Sequence, residues 1–242
     1  MDGLINLLKP TGITSAKALY RVRKITGVRK SGHAGTLDPG ADGVLVLCLG
    51  KGTKLVERIM DQPKVYRATA RLDVTSESFD SDSDLTAVDV EAVPSQEDVI
   101  RALASFEGCI QQVPPRISAV KLGGQPAYKR ARTGEGLELA PRTVTIYWVF
   151  VHTYDWPTLD FELACGRGTY VRSVVRDLGA ALSTGGCLTS LTRTAVGPFT
   201  SNEGWTFEGL EASGDPANYL IPLEGAIRLL DRRPIPIPPR PG

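Results

Sequence analysis

The chain has 242 residues, 42% of them hydrophobic, and 28 Lys and Arg against 27 Asp and Glu leave a net charge of +1. That apolar content suits a substantial core in one large domain, or one domain with a small appendage. Met1-Asp2-Gly3-Leu4 lacks the basic and apolar regions of a signal peptide, and no apolar run approaches the ~20 residues needed to span a bilayer, so the expected setting is the cytoplasm with no membrane partner.

The first helix is predicted from a cap at Thr14 or Ser15, an apolar stripe of Ala18, Leu19, Val22 and Ile25, and a stop at Gly27. Its other face carries Lys17, Arg21, Arg23 and Lys24, so one side packs while the other can meet an anion. Next comes Gly32-His33-Ala34-Gly35-Thr36-Leu37-Asp38-Pro39-Gly40, ahead of a wholly apolar run from 44 to 49 that reads as a buried strand. Asp38 thus sits on a tight turn beside a core strand, a way of holding one charged group still. Asp-Pro-Gly is also ordinary turn composition.

Residues 64–72 alternate, with Tyr66, Ala68, Ala70 and Leu72 on one face and Arg67, Thr69 and Arg71 on the other, which predicts a strand. The acidic stretch 73–94 reads as loop. Ser95-Gln96-Glu97-Asp98 then caps a helix carrying Val99, Ile100, Leu103 and Phe106 as far as Gly108. Residues 117–122, a Gly123-Gly124 turn and a basic helix over 126–132 follow. Residues 143–151 and 159–165 make a hairpin. Val171, Val174, Val175, Leu178 and Leu182 predict a helix over 169–182, with Tyr170 and Arg172 in its first turn. Residues 188–196 return as strand, after which the pattern weakens toward a proline-rich, extended tail. The irregular alternation of strands and helices implies an α+β fold on a largely antiparallel sheet.

The near-zero net charge hides segregation: thirteen bases against five acids in residues 1–71, one against ten in 72–113, and six against two in 114–142. Two basic blocks flank one acidic block, which suits a phosphate track if they converge and helix solvation if they do not. Cys48, Cys109, Cys165 and Cys187 are far apart and read as small buried hydrophobes.

Spacing tests several enzyme classes. Gly50-Lys51-Gly52-Thr53 lacks the upstream glycine of a phosphate loop, because Leu45 stands there. His33 and His152 have no partners at metal-ligand spacing, so no metal is expected. What is left is carboxylate chemistry assisted by arginine and tyrosine, and residues 165–172, Cys-Gly-Arg-Gly-Thr-Tyr-Val-Arg, supply both. An arginine so close to an apolar helix face needs an acidic partner, and a purely structural ion pair satisfies that need as well as a catalytic one.

Five segments together resemble the TruB family of tRNA pseudouridine synthases: Leu8-Lys9-Pro10-Thr11-Gly12-Ile13-Thr14-Ser15, the stretch from Gly32 to Pro39, Lys64-Val65-Tyr66-Arg67, Ser118-Ala119-Val120-Lys121 with Gly134 downstream, and Gly168-Thr169-Tyr170-Val171-Arg172. The resemblance runs from residue 4 to about residue 200. It implies the α+β catalytic fold of pseudouridine synthases with a cleft across the sheet, and isomerisation of uridine 55 in the T-loop of tRNA. It makes Asp38 the catalytic carboxylate, Arg172 its ion-pair partner and Tyr66 the ring that packs against the target base. Tyr170 and Leu191 match pocket positions, His33 a loop residue that replaces the extruded nucleotide, and Lys9 joins the substrate-binding set. Asp80 falls where the family has an acid, although Glu77-Ser78-Phe79-Asp80 departs from the usual Thr-Asp-Thr-x-Asp.

Breaking C1′–N1 and joining C1′ to C5 needs no redox cofactor, metal or nucleotide, so none is expected. Asp38 can attack C1′ or C6, and Tyr66 is the candidate to take the C5 proton. The T-arm of tRNA is the expected partner of a monomeric enzyme. Flipping the base costs a few kcal/mol, which phosphate contacts from Arg21, Lys24, Arg29, Lys30, Lys121, Lys129, Arg130 and Arg132 would offset. Residues 1–200 are expected to form the catalytic domain. Residues 201–242 would be a short extension, with the family's RNA-binding PUA domain absent or vestigial. The rival readings are an aspartate-dependent RNA N-glycosidase and a non-catalytic tRNA-binding chaperone.

Overall fold

The computed structural model describes residues 1–115, 121–122, 125–126, 139–231, 237 and 239–240. The chain divides into two compact units, Met1–Arg67 with Leu191–Pro239, and Ala68–Ser190 with Arg240–Gly242.

The first unit opens with β1 (Gly3–Lys9), α1 (Ser15–Thr26), β2 (Ser31–His33), β3 (Asp42–Leu49), a 3-10 turn over Gly50–Leu55, and α2 (Val56–Met60). Helix α1 starts and stops as its sequence predicts: the Thr14 side chain accepts from the Lys17 amide, and Gly27 ends the helix in the left-handed region at φ 69°. The apolar runs of β1 and β3 follow from burial of both sheet faces. Ile5, Leu7, Leu45, Leu47 and Leu49 pack under α1 with Leu19 and Val22. Leu4, Val44, Val46 and Cys48 point the other way, against Leu55, Ile59, Phe199 and Leu230. Strand β4 (Lys64–Arg71) begins in this unit and runs into the second.

In the second unit the acidic stretch holds a small antiparallel pair, β5 (Val74–Thr75) and β6 (Thr86–Ala87). Helix α3 (Gln96–Ala104) carries a reciprocal capping box between Ser95 and Asp98. Val99 and Leu103 are its buried residues, while Ile100, expected on the apolar stripe, is exposed. Strand β7 (Gly108–Gln112) starts where α3 was expected to have just ended. Lys121–Leu122 (β8) pairs with Gln125–Pro126 (β9), so the predicted basic helix does not begin at Pro126. Pro126 is held in that strand pair, and the remaining residues of the expected helix, with Lys129, Arg130 and Arg132, lie outside the described residues. The predicted hairpin is present and longer, as β10 (Arg142–Asp155) and β11 (Thr158–Cys165). Helix α4 (Val171–Leu182) begins one residue after Tyr170, whose extended backbone (φ −108°, ψ 114°) makes it the N-cap rather than a first-turn residue. Strand β12 (Cys187–Val196) leads back into the first unit.

From residue 199 the first unit continues with β13 (Phe199–Thr200), α5 (Phe207–Ser213), α6 (Pro216–Tyr219), β14 (Ile221–Pro222) and α7 (Leu223–Leu230). Caps explain these short elements: Thr206 accepts from Gly209, and Asp215 caps a helix with Pro216 in its first turn. Strand order is β14-β1-β3-β12-β4 in the first unit and β12-β4-β11-β10-β7 in the second. The β12–β3 pair is parallel, whereas β1–β14, β1–β3, β10–β11 and β10–β7 are antiparallel, a mixed, mostly antiparallel α+β fold. Among the described residues, no helix is long and apolar enough to cross a membrane.

Candidate active site

The turn that presents Asp38 is fastened from four directions, all within the first unit. The Leu37 amide donates to Ser15 Oγ at 2.8 Å, and that hydroxyl donates to the Leu37 carbonyl at 3.0 Å. Because Thr14 caps α1, the Ser15 hydroxyl is available for this. Ala41 N donates to Asp38 O at 3.1 Å, and Gly12 N donates to Pro39 O at 2.8 Å. Gly12 has φ 81°, a conformation that favours glycine. Arg193, on β12, closes the other side: Nε donates to Val44 O at 2.7 Å, Nη1 to Thr36 O at 3.4 Å and Nη2 to Gly35 O at 3.1 Å. A turn whose backbone groups are tied on both sides of one carboxylate is preorganised to hold it.

Two further cations brace this region. Lys9 is buried at the end of β1, where its ammonium donates to Pro10 O at 2.8 Å and Ile13 O at 2.9 Å. Burial lowers its pKa, and Asp42 and Asp38 act in the opposite sense. Its hydrogen bonds hold the loop before α1 rather than reach into open space, which is how the Lys-Pro-x-Gly segment makes a rigid corner. Lys64 is also buried, with its ammonium on the carbonyls of Met60 and Gln62, and so fixes the start of β4 two residues before Tyr66.

Tyr66 and Leu191 are half-buried and pack against the cluster that contains Leu37. In the first unit Tyr66 and Leu191 thus share an apolar cluster with Leu37, the residue before Asp38 in the chain. His33 stands on β2, opposite Leu47. Its Nδ1 is buried without a hydrogen-bond partner among the described residues. Burial first, and the Arg193 charge second, lower its pKa, which favours a neutral ring at pH 7.

The second unit builds its own polar cluster at the start of α4. Arg172 is 4% exposed. Its Nη1 donates to Ser78 O at 3.1 Å and lies 3.3 Å from Asp80 Oδ2. Asp80 also accepts from the Ser78 hydroxyl and from the Asp82 amide at 3.1 Å. In the segment that departs from Thr-Asp-Thr-x-Asp, Ser78 thus supplies a hydroxyl to Asp80. Gln112, which sequence reasoning missed, is buried and pins Tyr170: its Oε1 accepts from Tyr170 N at 2.8 Å and its Nε2 donates to Tyr170 O at 3.2 Å.

The expected phosphate contacts fare unevenly. Arg29 and Lys30 are exposed, and Lys24 is exposed with its ammonium 4.8 Å from the Tyr20 ring centre. Arg21 differs: its guanidinium pairs with Glu208 at 3.3 Å and Glu211 at 3.0 Å and lies 4.3 Å from the Phe207 ring centre. The side chain of Lys121 lies outside the described set. Cys48, Cys165 and Cys187 are buried as expected, but Cys109 is exposed on β7.

Comparison with known proteins identifies the family. Residues 23–171 match the family model described as TruB family pseudouridylate synthase (N terminal domain), and residues 172–227 match that of the tRNA pseudouridylate synthase B C-terminal domain. The chain is 41% identical over 235 residues to tRNA pseudouridine synthase B of Dehalococcoides mccartyi, covering 96% of this chain and 78% of the relative. It is 42% identical over 214 residues to the protein of that name from Burkholderia pseudomallei, covering 88% and 70%. Among solved structures it resembles a chain in a crystal structure of a Cbf5-Nop10-Gar1 complex, with TM-score 0.74 and 28% identity, covering 94% of this chain and 62% of that one. On these matches, and with a pseudouridine synthase fold carrying the family's motifs, the chain belongs to the TruB family of pseudouridine synthases.

Proposed function

We propose that this chain isomerises uridine to pseudouridine in tRNA, acting as a monomer on position 55 of the T-loop, with Asp38 as the nucleophile on a flipped-out nucleotide. The observation that carries this reading is the Asp38 turn, held on both sides by hydrogen bonds to its backbone in a chain of the TruB family. A nucleophilic carboxylate gains most when its position is set before substrate arrives.

Asp38 attacks either C1′ or C6 of the uridine; the C1′–N1 bond breaks, the base turns and C5 bonds to C1′, the bond from Asp38 to C1′ or C6 breaks to free the carboxylate, and C5 loses its proton while N1 gains one. Tyr66 packs against the base and is the group proposed to take that proton. Arg172, which Asp80 holds, is the proposed counter-ion of Asp38. Leu191 and Tyr170 line the pocket. His33, kept neutral by burial and by the Arg193 charge, fills the gap left by the extruded nucleotide. Arg29, Lys30 and Lys24 contact the T-arm backbone.

The test is tritium release from 5-tritiated uridine in a T-arm stem-loop. Asp38→Asn is expected to abolish release while leaving T-arm affinity within about threefold, because it removes the nucleophile and no phosphate contact. Near wild-type release would refute the nucleophile assignment. Free uracil in place of pseudouridine would turn the reading to an N-glycosidase.

A further inference from the structure

Arg193 is among the largest fully buried side chains of the chain, at 1% exposure. Burying a guanidinium is unfavourable unless its donors are satisfied, and an apolar side chain of similar volume would fill the same space at less cost. Among the described residues its hydrogen-bond partners are all backbone carbonyls, those of Gly35, Thr36 and Val44. Two of these precede Asp38 and one follows it, so a single rigid fork grips both ends of the turn. A lysine ammonium is a point donor and cannot span three carbonyls in this way.

The backbone around Arg193 is built for the same purpose. Strands β12 and β3 run parallel here, with Arg193 opposite Gly43. A Cβ on Gly43 would lie 2.3 Å from the Arg193 carbonyl oxygen, and Gly43 has φ 97°. The glycine lets β12 close on β3, and that approach delivers the guanidinium to the turn. Burial is the main cause of the lowered pKa of both His33 and Lys9, and the Arg193 charge adds to it, second for His33 and least for Lys9.

We propose that Arg193 is the positioning residue for Asp38, fixing through three backbone carbonyls the turn that presents the carboxylate to the uridine. It does not touch substrate. The proposal rests on the reading of Asp38 as nucleophile.

Arg193→Lys keeps the charge and loses the fork; Arg193→Gln keeps a smaller donor and serves if the lysine variant does not fold. Three quantities are measured on the full chain: the single-turnover rate at saturating T-arm, T-arm affinity, and amide hydrogen exchange by residue. The expected result is a rate lower by about 10²-fold with affinity within about threefold. Exchange should rise about tenfold or more at residues 36–42 while the amides of β1 and the core of β3 stay protected. A folded variant with a rate within about threefold of wild type would overturn the proposal. So would exchange that rises evenly through β1, β3 and the turn, since that marks general loosening. Asp38→Asn in the same assay separates the two readings: if it stays active the nucleophile is wrong, whereas the exchange pattern reports on the link from Arg193 to the turn whatever the activity.

Discussion

Ser15 Oγ holds both backbone groups of Leu37, accepting from its amide at 2.8 Å and donating to its carbonyl at 3.0 Å, one residue before Asp38. Ser15 is 2% exposed, so water cannot replace it. Ser15→Ala therefore leaves a buried amide and carbonyl unpaired, at about 1–3 kcal/mol. A lower urea midpoint with unchanged slope is expected, together with a slower single-turnover rate at saturating T-arm. A variant as stable and as fast as wild type would show that the turn does not need this hydroxyl.

The fastening of that turn was only partly legible in the sequence. Asp38, its turn and the apolar strand beside it stand out because they are contiguous. The Ser15–Leu37 clamp joins residues 22 positions apart, and nothing in the local pattern of α1 distinguishes a capping hydroxyl from one that reaches a distant backbone. Arg193 did leave a signal. In an alternating strand it shares its face with Leu191 and Ala195, and a charge amid apolar neighbours of the same parity marks a buried, bonded group. Gln112 left none, because a glutamine ahead of two prolines reads as loop. The elements after residue 200 were obscured by their brevity: α5 and α6 start from the Thr206 and Asp215 caps and β14 is held by pairing with β1, and none of these carries a long periodic stripe.

The Asp80–Arg172 pair, at 3.3 Å and with side-chain exposures of 15% and 5%, is shielded enough that losing one partner leaves a poorly solvated charge. Asp80→Asn and Arg172→Gln are each expected to destabilise the protein, and the double variant by less than their sum. A coupling energy of about 1–3 kcal/mol in a double-mutant cycle is the expected value. Additive effects would mean that the two side chains act independently.

Thiol chemistry should follow burial. Cys109 is exposed and is expected to react with a disulfide reagent at pH 8, while Cys48, Cys165 and Cys187 wait for unfolding. Burial pushes the Cys48 thiol from 9.0 up to about 12. The folded pKa is thus above the unfolded one, so this contribution to stability is fully present below about pH 9 and is lost as pH rises toward 12. The alkaline fall in stability should be shallower in Cys48→Ala than in wild type. Equal slopes would indicate that this thiol ionises alike in both states.

Arg21 was expected to face phosphate, yet Glu208 and Glu211 of α5 answer its charge. These groups are exposed, with side-chain exposures of 44%, 75% and 48%, so the pairing is weak and a polyanion can compete with it. The two carboxylates also add repulsion near the basic face of α1. Glu208→Gln with Glu211→Gln should therefore raise T-arm affinity by about two- to fivefold at low salt and steepen the dependence of log K on log salt by about one. Because the substitutions touch neither Asp38 nor its turn, the single-turnover rate at saturation should not change. Unaltered affinity and slope would place the RNA path away from this face of α1, and leave Arg21 as a tie between α1 and α5.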